Sequence, residues 1–296
     1  MALGDNAGLI LETAALQQPP LLGGPHISCA WAEVLDEIPA VDHNGVAHAI
    51  QVPRERPLTV YVDGRELVTL LTLGARPEWL VVGYLRNQRL IADARELASI
   101  VVDWELGAAH VTRREGARAT DPGESHPLGG AGCNLNAGFA SWIVHMDAMD
   151  LRQSPRMQIS RDDLFAMLGT LRKFDSIFQR VGTVHGCALF CGTELWLVVE
   201  DVSRRNAMDT VAGWMALHGI GGADKLLLTT GRVTAETVMK VALNGIPVIV
   251  SRKGVTSMGR DLAVRLGMTL FGRAADHKYL CYCGADRFGI ETGGTS

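Results

Sequence analysis

The chain has 296 residues, of which 47% are hydrophobic, and its 28 Lys and Arg against 32 Asp and Glu give a net charge of −4. This length and composition suit one large domain or two modest ones, and they exclude a disordered acidic tail and a fibrous repeat. No stretch reaches about 18 uninterrupted apolar residues, so we expect no membrane-spanning helix. The first residues lack a basic stretch before an apolar run, and six cysteines are sparse for a disulfide scaffold. We therefore expect a cytoplasmic protein with reduced thiols.

The charge is divided unevenly along the chain. Residues 1–53 contain six acidic residues and no Lys or Arg, so they carry −6, while residues 54–296 carry +2. Neither part has the basic surface typical of a nucleic-acid-binding protein, and we expect no nucleic-acid partner. Pro19-Pro20, Gly23-Gly24-Pro25 and Pro39 interrupt the apolar stretches, which predicts an irregular acidic N-terminal arm over residues 1–53.

Residues 54–125 are predicted to form a small β-rich α+β subdomain. Two β-rich runs flank Asp63-Gly64, which is the pattern of a hairpin. Pro77 opens a helix whose apolar residues recur at spacings of three and four. The predicted strands of this subdomain are residues 58–62, 66–71, 100–102 and 109–111.

A glycine-rich loop over residues 126–138 contains Cys133. So much glycine is incompatible with a helix interior and favours a mobile or closely approached loop. A thiol gains no packing there and is exposed to reagents, and free backbone N–H groups can stabilise a thiolate or a persulfide. Cys133 is therefore the candidate reactive cysteine, with an incidental loop cysteine as the alternative.

Strands and helices alternate over residues 139–290. Ser160 precedes an amphipathic helix, and Gly245 and Gly267 follow the ends of two others. This alternation predicts an α/β sandwich around a mostly parallel sheet, in which binding residues follow the carboxyl ends of strands. The predicted strands are residues 187–190, 195–199, 225–229, 247–251 and 269–271, and the predicted helices are residues 206–217, 235–244 and 258–266.

The first strand-to-helix junction of this domain, residues 200–209, concentrates acids and arginines. Arg204 or Arg205 could hold a phosphate with its guanidinium fork, and Asp201 or Asp209 could accept hydrogen bonds from a purine or a ribose. A solvated helix start capped by Asp and Asn fits this stretch equally well.

Two further junctions have a similar composition. Residues 229–234 place Gly231, Arg232 and hydroxyl groups near a helix N-terminus, a combination that favours anions, although no Walker loop is present. Residues 251–257 are basic and rich in hydroxyl groups. The three junctions together predict one phosphate-binding edge of the sheet.

Other chemistries have weaker support. His185 follows a glycine-bearing turn and is a candidate acid or base, although a structural histidine is more common. Buried packing is the default for the remaining cysteines of the domain. No Cys-x-x-Cys pair, no zinc-deaminase signature and no Gly-x-Ser-x-Gly elbow occurs, so we expect neither a metal site nor a serine hydrolase. The cysteines concerned are Cys187, Cys191, Cys281 and Cys283.

Several motifs stand in a fixed order between Glu55 and Asp286. They are the opening hairpin and helix, Gly182-Thr183-Val184-His185, Glu200-Asp201-Val202-Ser203-Arg204-Arg205-Asn206-Ala207-Met208-Asp209, Thr230-Gly231-Arg232, and Gly245-Ile246-Pro247. In this order they resemble the formate dehydrogenase accessory sulfurtransferase family, FdhD.

The resemblance implies a sulfur carrier between a cysteine desulfurase and the molybdenum bis-molybdopterin guanine dinucleotide cofactor of formate dehydrogenase. It implies a persulfide on Cys133, a homodimer, and a three-layer α/β/α sandwich similar to the cytidine deaminase fold without its zinc. The cofactor-binding residues that it implies, together with those of the junctions, are Gly182, Thr183, His185, Asp201, Arg204, Asn206, Asp209, Gly231, Arg232, Ser251, Arg273, Ala274, Ala275, Asp276, His277 and Lys278.

The chain also departs from the family pattern. Asn136 replaces the second loop cysteine, so a relay by one cysteine is required, and Ser203, Arg205 and Thr210 replace Gly, His and Lys. Ala275 stands where an arginine is expected. Three hypotheses follow: the persulfide sulfurtransferase, a non-catalytic cofactor-binding chaperone or divergent paralogue serving another molybdenum or tungsten enzyme, and a zinc-dependent deaminase-like hydrolase, against which the missing ligand motif argues.

Overall fold

The computed structural model describes residues 20–116, 149–154, 159–173 and 176–288, apart from residues 31 and 276. Cys133, with the whole predicted loop 126–138, and Asp276 lie outside the described residues. Within the described part of the chain, no helix has the length and apolar character needed to cross a membrane.

The elements are numbered in chain order. The strands are β1 (His26–Ile27), β2 (Leu35–Val41), β3 (Ala47–Pro53), β4 (Arg56–Val62), β5 (Arg65–Thr72), β6 (Leu97–Asp103), β7 (Ala108–Arg113), β8 (His185–Cys191), β9 (Glu194–Asp201), β10 (Lys225–Thr229), β11 (Val248–Ser251), β12 (Thr269–Ala275) and β13 (Lys278–Cys283). The helices are α1 (Pro77–Asn87), α2 (Arg161–Lys173), α3 (Ile177–Val181), α4 (Arg204–Leu217), α5 (Ala235–Leu243) and α6 (Ser257–Arg265).

A five-stranded sheet with the order β1-β6-β7-β4-β5 forms the N-terminal part of the fold. Its β4–β5 hairpin turns at Asp63 and Gly64, both with positive φ, as the Asp-Gly pattern predicts. The predicted helix is confirmed as α1, with Pro77 at its first position. The predicted strands at residues 100–102 and 109–111 are confirmed within β6 and β7.

The predicted irregularity of the N-terminal arm is wrong for residues 35–53, where β2 and β3 form a separate antiparallel hairpin. The tight turn is closed by Asp42, whose side chain accepts hydrogen bonds from the backbone N–H groups of Asn44 and Val46 at 2.9 and 3.0 Å. In the sequence Pro39 reads as a strand breaker, but each strand of a two-stranded sheet has an open edge at which a proline loses no ladder hydrogen bond.

The C-terminal part is built on a six-stranded sheet with the order β13-β12-β11-β10-β8-β9. The prediction of a mostly parallel sheet is wrong, because only β10–β11 and β11–β12 pair in parallel while three neighbouring pairs are antiparallel. The physical reason is connection length: β8 joins β9, and β12 joins β13, through turns of two residues, which allow only antiparallel pairing.

Helices cover both faces of this sheet. Alternate strand residues, such as Leu197 and Ile249, share one core with α1, α4, α5, α6 and the five-stranded sheet. Their neighbours, such as Val198 and Val250, pack with Leu164 of α2 on the opposite face. The fold is therefore mixed α/β with helices on either side of the main sheet. The similarity to the cytidine deaminase fold and the division at residues 54–125 and 139–290 stay predictions.

Helices α1 and α4 cross at close range because glycine lies at each contact point. A Cβ atom at Gly83 would overlap the carbonyl oxygen of Asp209, and one at Gly213 would overlap that of Trp79. These two helices fill the space between the sheets, so their separation sets how the N-terminal sheet sits against the domain that carries the predicted site.

Candidate functional site

Six strand ends meet at one edge of the six-stranded sheet. β8 begins with His185 directly opposite Asp201, the last residue of β9. Thr229 at the end of β10 pairs with Cys187 on one side and with Ser251, the end of β11, on the other. The β12–β13 hairpin returns at the same edge, because Gly272 pairs with Leu280. The structure thus brings the three predicted junctions together, as expected from sheet geometry.

Small residues shape the loops on the α4 face of this edge. The Ser251 hydroxyl is fully buried and donates to the carbonyl oxygen of Gly231 at 2.7 Å, while the N–H of Gly231 donates to Thr229 Oγ1 at 3.1 Å. A Cβ atom at Gly231 would lie only 3.1 Å from Arg204 Cδ, so glycine lets the arginine side chain lie across the loop. Ser203 caps α4 by accepting from the N–H of Arg205.

Most cations at this edge have no ion-pair partner in the described part of the chain. Among the described residues, no carboxylate forms an ion pair with Arg204, Arg232 or Arg252, nor with the other basic residues of the edge. Burial lowers the pKa of the Arg204 guanidinium, and the charges of Arg205 and Arg232 lower it further. Such like-charge crowding favours a bound anion. The other basic residues are Lys253, Arg273 and Lys278.

His185 is half-buried among these cations. Burial lowers its pKa, and Arg204 and Lys253 add to the effect. The imidazole is therefore neutral near pH 7 and gains charge only on acidification.

An open cleft lies on the α2 face of the same edge. Its floor is the sheet, where the N–H of Gly186 donates to Thr230 Oγ1 at 2.9 Å, and Arg252 contributes to its lining. Buried Glu200 accepts hydrogen bonds from the N–H groups of Ile177 and Phe178, while burial raises its pKa. The remaining walls are formed by Leu171, Ser176, Gln179, Cys187, Ala188, Val198 and Leu228.

Asp201 and Asn206 lie beneath the α4 face of the edge, inside the protein. Asp201 is 4% exposed and accepts hydrogen bonds from the Thr72 hydroxyl at 2.5 Å, the Ser203 N–H and Asn206 Nδ2. Burial raises the pKa of this carboxyl to about 6, against the effect of its hydrogen-bond donors. Asn206 also donates to the carbonyl oxygen of Leu71 at 2.7 Å. These contacts favour positioning of the α4 N-terminus over direct ligand contact.

Asp209 lies one turn further along α4, away from the edge. It is 2% exposed and forms an ion pair with Lys240 of α5 at 2.8 Å, and it accepts a hydrogen bond from Asn87 of α1 at 2.6 Å. The structure therefore does not bring Asp209 together with the other predicted residues but buries it between three helices.

The remaining predicted residues frame the edge. Gly182 ends α3 with φ 72° and is followed by exposed Thr183. Arg273 has a positive φ of 51°, and its N–H donates to the carbonyl oxygen of Lys253 at 2.8 Å. Ala274 is fully buried, Ala275 is half-buried and Lys278 is exposed, while the His277 ring contacts Phe165 edge-on at 5.6 Å.

Four of the described cysteines have raised pKa values and therefore stay protonated as thiols at neutral pH. Burial raises the pKa of Cys187 to about 12 and that of Cys283 to about 11, and it also raises the pKa values of Cys191 and Cys281. Cys187 is buried as predicted, whereas the other three are only half-buried. In the described part of the chain, no three His, Cys, Asp or Glu side chains form a group that could hold a metal ion.

The sequence-based prediction missed the cleft. Thr230 and Arg252 belong to predicted junctions, and strand alternation could have separated them from Gly231 and Ser251 on the other face. The walls Leu171 and Phe178 come from helices that precede the sheet in the chain, and no local pattern marks them as lining residues.

Known proteins are similar to this chain in sequence. Residues 53–289 match the sequence profile of the FdhD/NarQ family. A sulfur carrier protein FdhD of Halalkalibacterium halodurans is 29% identical over 252 residues, which cover 84% of this chain and 93% of the relative. That of Bacillus subtilis is 28% identical over 235 residues, with coverages of 79% and 88%.

A solved structure supports the fold. The crystal structure of a Desulfotalea psychrophila protein, assigned as a formate dehydrogenase accessory protein, superposes with a TM-score of 0.68 at 22% identity. The match covers 86% of this chain and 98% of that one, so the two share the mixed α/β fold. With the family profile matching four fifths of its length, the chain belongs to the FdhD/NarQ family.

Proposed function

We propose that this chain is a sulfur carrier that passes persulfide sulfur from a cysteine desulfurase to the molybdenum bis-molybdopterin guanine dinucleotide cofactor, for use by formate dehydrogenase in the cytoplasm. The observation that carries the proposal is a group of cations crowded at one sheet edge, most of them without an ion-pair partner among the described residues, beside a cleft with apolar walls. Support also comes from relatives that are named sulfur carrier proteins.

The edge has the chemistry to hold the dinucleotide ends of such a substrate. A pyrophosphate carries several negative charges, and the guanidinium groups of Arg204, Arg232 and Arg252 can each offer paired N–H donors to phosphate oxygens. The apolar cleft wall formed by Leu171 and Phe178 suits a flat heteroaromatic ring. In this proposal the hydrogen bond from Ser251 holds the loop at Gly231, which leaves room for the Arg204 side chain. Asp201 and Asn206 hold the start of α4 in place.

Sulfur would be carried by Cys133, which lies outside the described residues. Its thiolate attacks the outer sulfur of the desulfurase persulfide, a new S–S bond forms on Cys133, and the desulfurase cysteine leaves as a thiolate. Transfer of that outer sulfur to the molybdenum breaks the new S–S bond, regenerates the Cys133 thiolate and takes two electrons from the reduced metal. Asn136 in place of a second loop cysteine is consistent with this one-thiol relay.

Two of the other cysteines are poor candidates for the same role. Only a thiolate attacks a persulfide, and Cys187, with a pKa of about 12, stays protonated at neutral pH. The same holds for Cys283, with a pKa of about 11. In this proposal these two thiols are therefore not the carriers.

A direct test is to incubate the full chain with a cysteine desulfurase and cysteine, and then to weigh the peptide that contains Cys133. We expect the mass of one added sulfur atom, lost on treatment with a thiol reductant and absent in Cys133→Ser. The matched control, Cys187→Ser, should load sulfur like the wild type. An unmodified Cys133 peptide, or sulfur on Cys29 instead, would refute the proposal.

A cofactor-binding chaperone is the second candidate, favoured by the fact that the crowded cations of the described edge can bind an anion without using a thiol. It requires that Cys133→Ala leave the activity of the client molybdenum or tungsten enzyme intact while Arg232→Gln abolishes it. The sulfur carrier requires that both changes abolish activity. We also propose a homodimer, which sedimentation of the purified chain would test.

A further inference from the structure

A carboxylate lies among the arginines of the sheet edge. Glu236, in the first turn of α5, accepts hydrogen bonds from Nε of Arg205 at 2.9 and 2.8 Å through its two oxygens. Arg205 is the second residue of α4, so this ion pair joins the N-terminal ends of two helices that border the edge. The Arg205 side chain is 41% exposed and that of Glu236 is 17% exposed, so solvent and small anions can reach the guanidinium.

We infer that Arg205 is a further anion-binding residue of this edge and that Glu236 is its internal competitor, which a diphosphate ester must displace. The inference rests on the proposed cofactor site. It concerns a pair that the family resemblance does not predict, because the resemblance implies a histidine at the position of Arg205.

Three guanidinium groups compete for a counter-charge here. Arg205 and Arg232 both disfavour the charged form of Arg204, and Glu236 opposes them. A ligand with several negative charges would relieve all three guanidinium groups, whereas one carboxylate relieves mainly the arginine that it touches.

A second cation lies close to the Glu236 carboxylate. Oε1 of Glu236 lies 3.8 Å from Nζ of Lys240, one turn further along α5, and Lys240 is held in place by Asp209 at 2.8 Å. When a phosphate takes over the Arg205 guanidinium, Glu236 is therefore not left as an isolated half-buried charge. The exchange replaces one paired arrangement by another, and it reverses when the ligand leaves.

Such an exchange would lower the affinity for the diphosphate ligand, which a carrier must release to the next protein. A site with three free guanidinium groups would hold a diphosphate tightly and release it slowly. An internal carboxylate that returns to Arg205 weakens binding and so favours transfer of the cargo to the next protein.

The test is calorimetric titration of the full chain with guanosine diphosphate and with inorganic pyrophosphate at low and high salt. Glu236→Gln should bind both probes about threefold to tenfold more tightly, with a steeper salt dependence, because Arg205 is then free. Glu194→Gln is the matched control. It removes one negative charge at the start of β9, the opposite end of the sheet, and should bind like the wild type.

A second background separates exchange from general electrostatics. In Arg205→Gln, removal of the Glu236 carboxylate should give less than half of the gain seen with Arg205 present. An equal gain in both backgrounds, or no gain in Glu236→Gln while the wild type binds the probes, overturns the inference and leaves the proposed function standing. Failure of the wild type and of every variant to bind either probe overturns the cofactor site and the inference together.

Discussion

Helix α4 carries charges in two opposite situations only one turn apart. At its N-terminus Arg204 is half-buried without an ion-pair partner among the described residues, whereas Asp209 is 2% exposed and bonded to both Lys240 and Asn87. Asp209 is paired with Lys240 because an unpaired charge inside the protein would be too costly. The edge tolerates unpaired cations because water solvates them, and it therefore keeps them available for a ligand.

The two regions therefore differ in what a substitution should disturb. Changes between α1, α4 and α5 should act on the free energy of unfolding, and changes at the sheet edge should act on anion affinity. The following predictions test this separation, beginning with the largest effect.

Gly213→Ala should destabilise the fold most. The added Cβ would overlap the carbonyl oxygen of Trp79 in α1, so the two helices must separate, and we expect a loss of more than about 4 kcal/mol in the free energy of unfolding. Gly169→Ala in α2 is the control, because a Cβ atom there meets nothing within 4 Å and should be neutral or slightly stabilising. Urea denaturation measures both, and equal stability of the two variants would contradict the close crossing.

Lys240→Met should come next, because it leaves the Asp209 carboxylate buried without its cation. The expected loss is about 3–5 kcal/mol in the free energy of unfolding. Arg260→Met, which breaks the exposed ion pair with Asp261, should change stability by less than about 1 kcal/mol. If the two variants melted at the same temperature, the buried pair would not stabilise the helix interface as described.

Arg204→Gln should leave stability near that of the wild type and weaken binding of guanosine diphosphate. Loss of a charge-assisted hydrogen bond corresponds to about 1.5–3 kcal/mol of binding free energy, which calorimetry can resolve. Arg161→Gln on α2, whose side chain is 70% exposed and paired with Asp162, is the matched control. Equal affinities of these two variants would show that the edge holds no phosphate.

Acidification should produce the smallest effect, through His185. Its pKa is lowered from 6.5, so the ring gains a proton only as the pH falls below that value, and the added charge should strengthen anion binding by about twofold to fivefold. The folded chain binds fewer protons here than the unfolded chain, so the same group reduces stability as the pH falls. His185→Gln should flatten this part of the affinity profile. If the substitution left the pH dependence of anion affinity unchanged, His185 would not contribute to anion binding at this edge.

Local patterns predicted most of the elements. The Asp63-Gly64 turn, the proline at the start of α1 and the glycines after α5 and α6 each act within a few residues, and the structure confirms the elements that they delimit. The errors arose where pairing partners matter. Pro39 reads as a breaker without knowledge that β2 is an edge strand. The predicted bounds leave four residues between β8 and β9, where the structure has a hairpin with a two-residue turn.

In the candidate site, too, local sequence patterns predicted some features while others depended on distant residues. Glycine, hydroxyl-bearing and arginine residues after successive strands indicated one polar edge. Parallel strands that are joined by helices have their carboxyl ends at the same edge of the sheet. The same residue types did not reveal that Asp209 would face α5 and α1 rather than the edge, since its distance in sequence from Lys240 and Asn87 is large. The cleft walls at Leu171 and Phe178 depended equally on distant packing.

The sequence by itself determined where most strands and helices form, the strand ends at which Arg204, Gly231 and Ser251 stand, and the family resemblance of the whole. The tertiary structure decided which charges are paired, which face of the sheet each junction residue occupies, and that Glu236 holds Arg205. The reason is physical: turns and helix caps are set by neighbours in the chain, whereas burial and ion pairing depend on residues that only folding brings together.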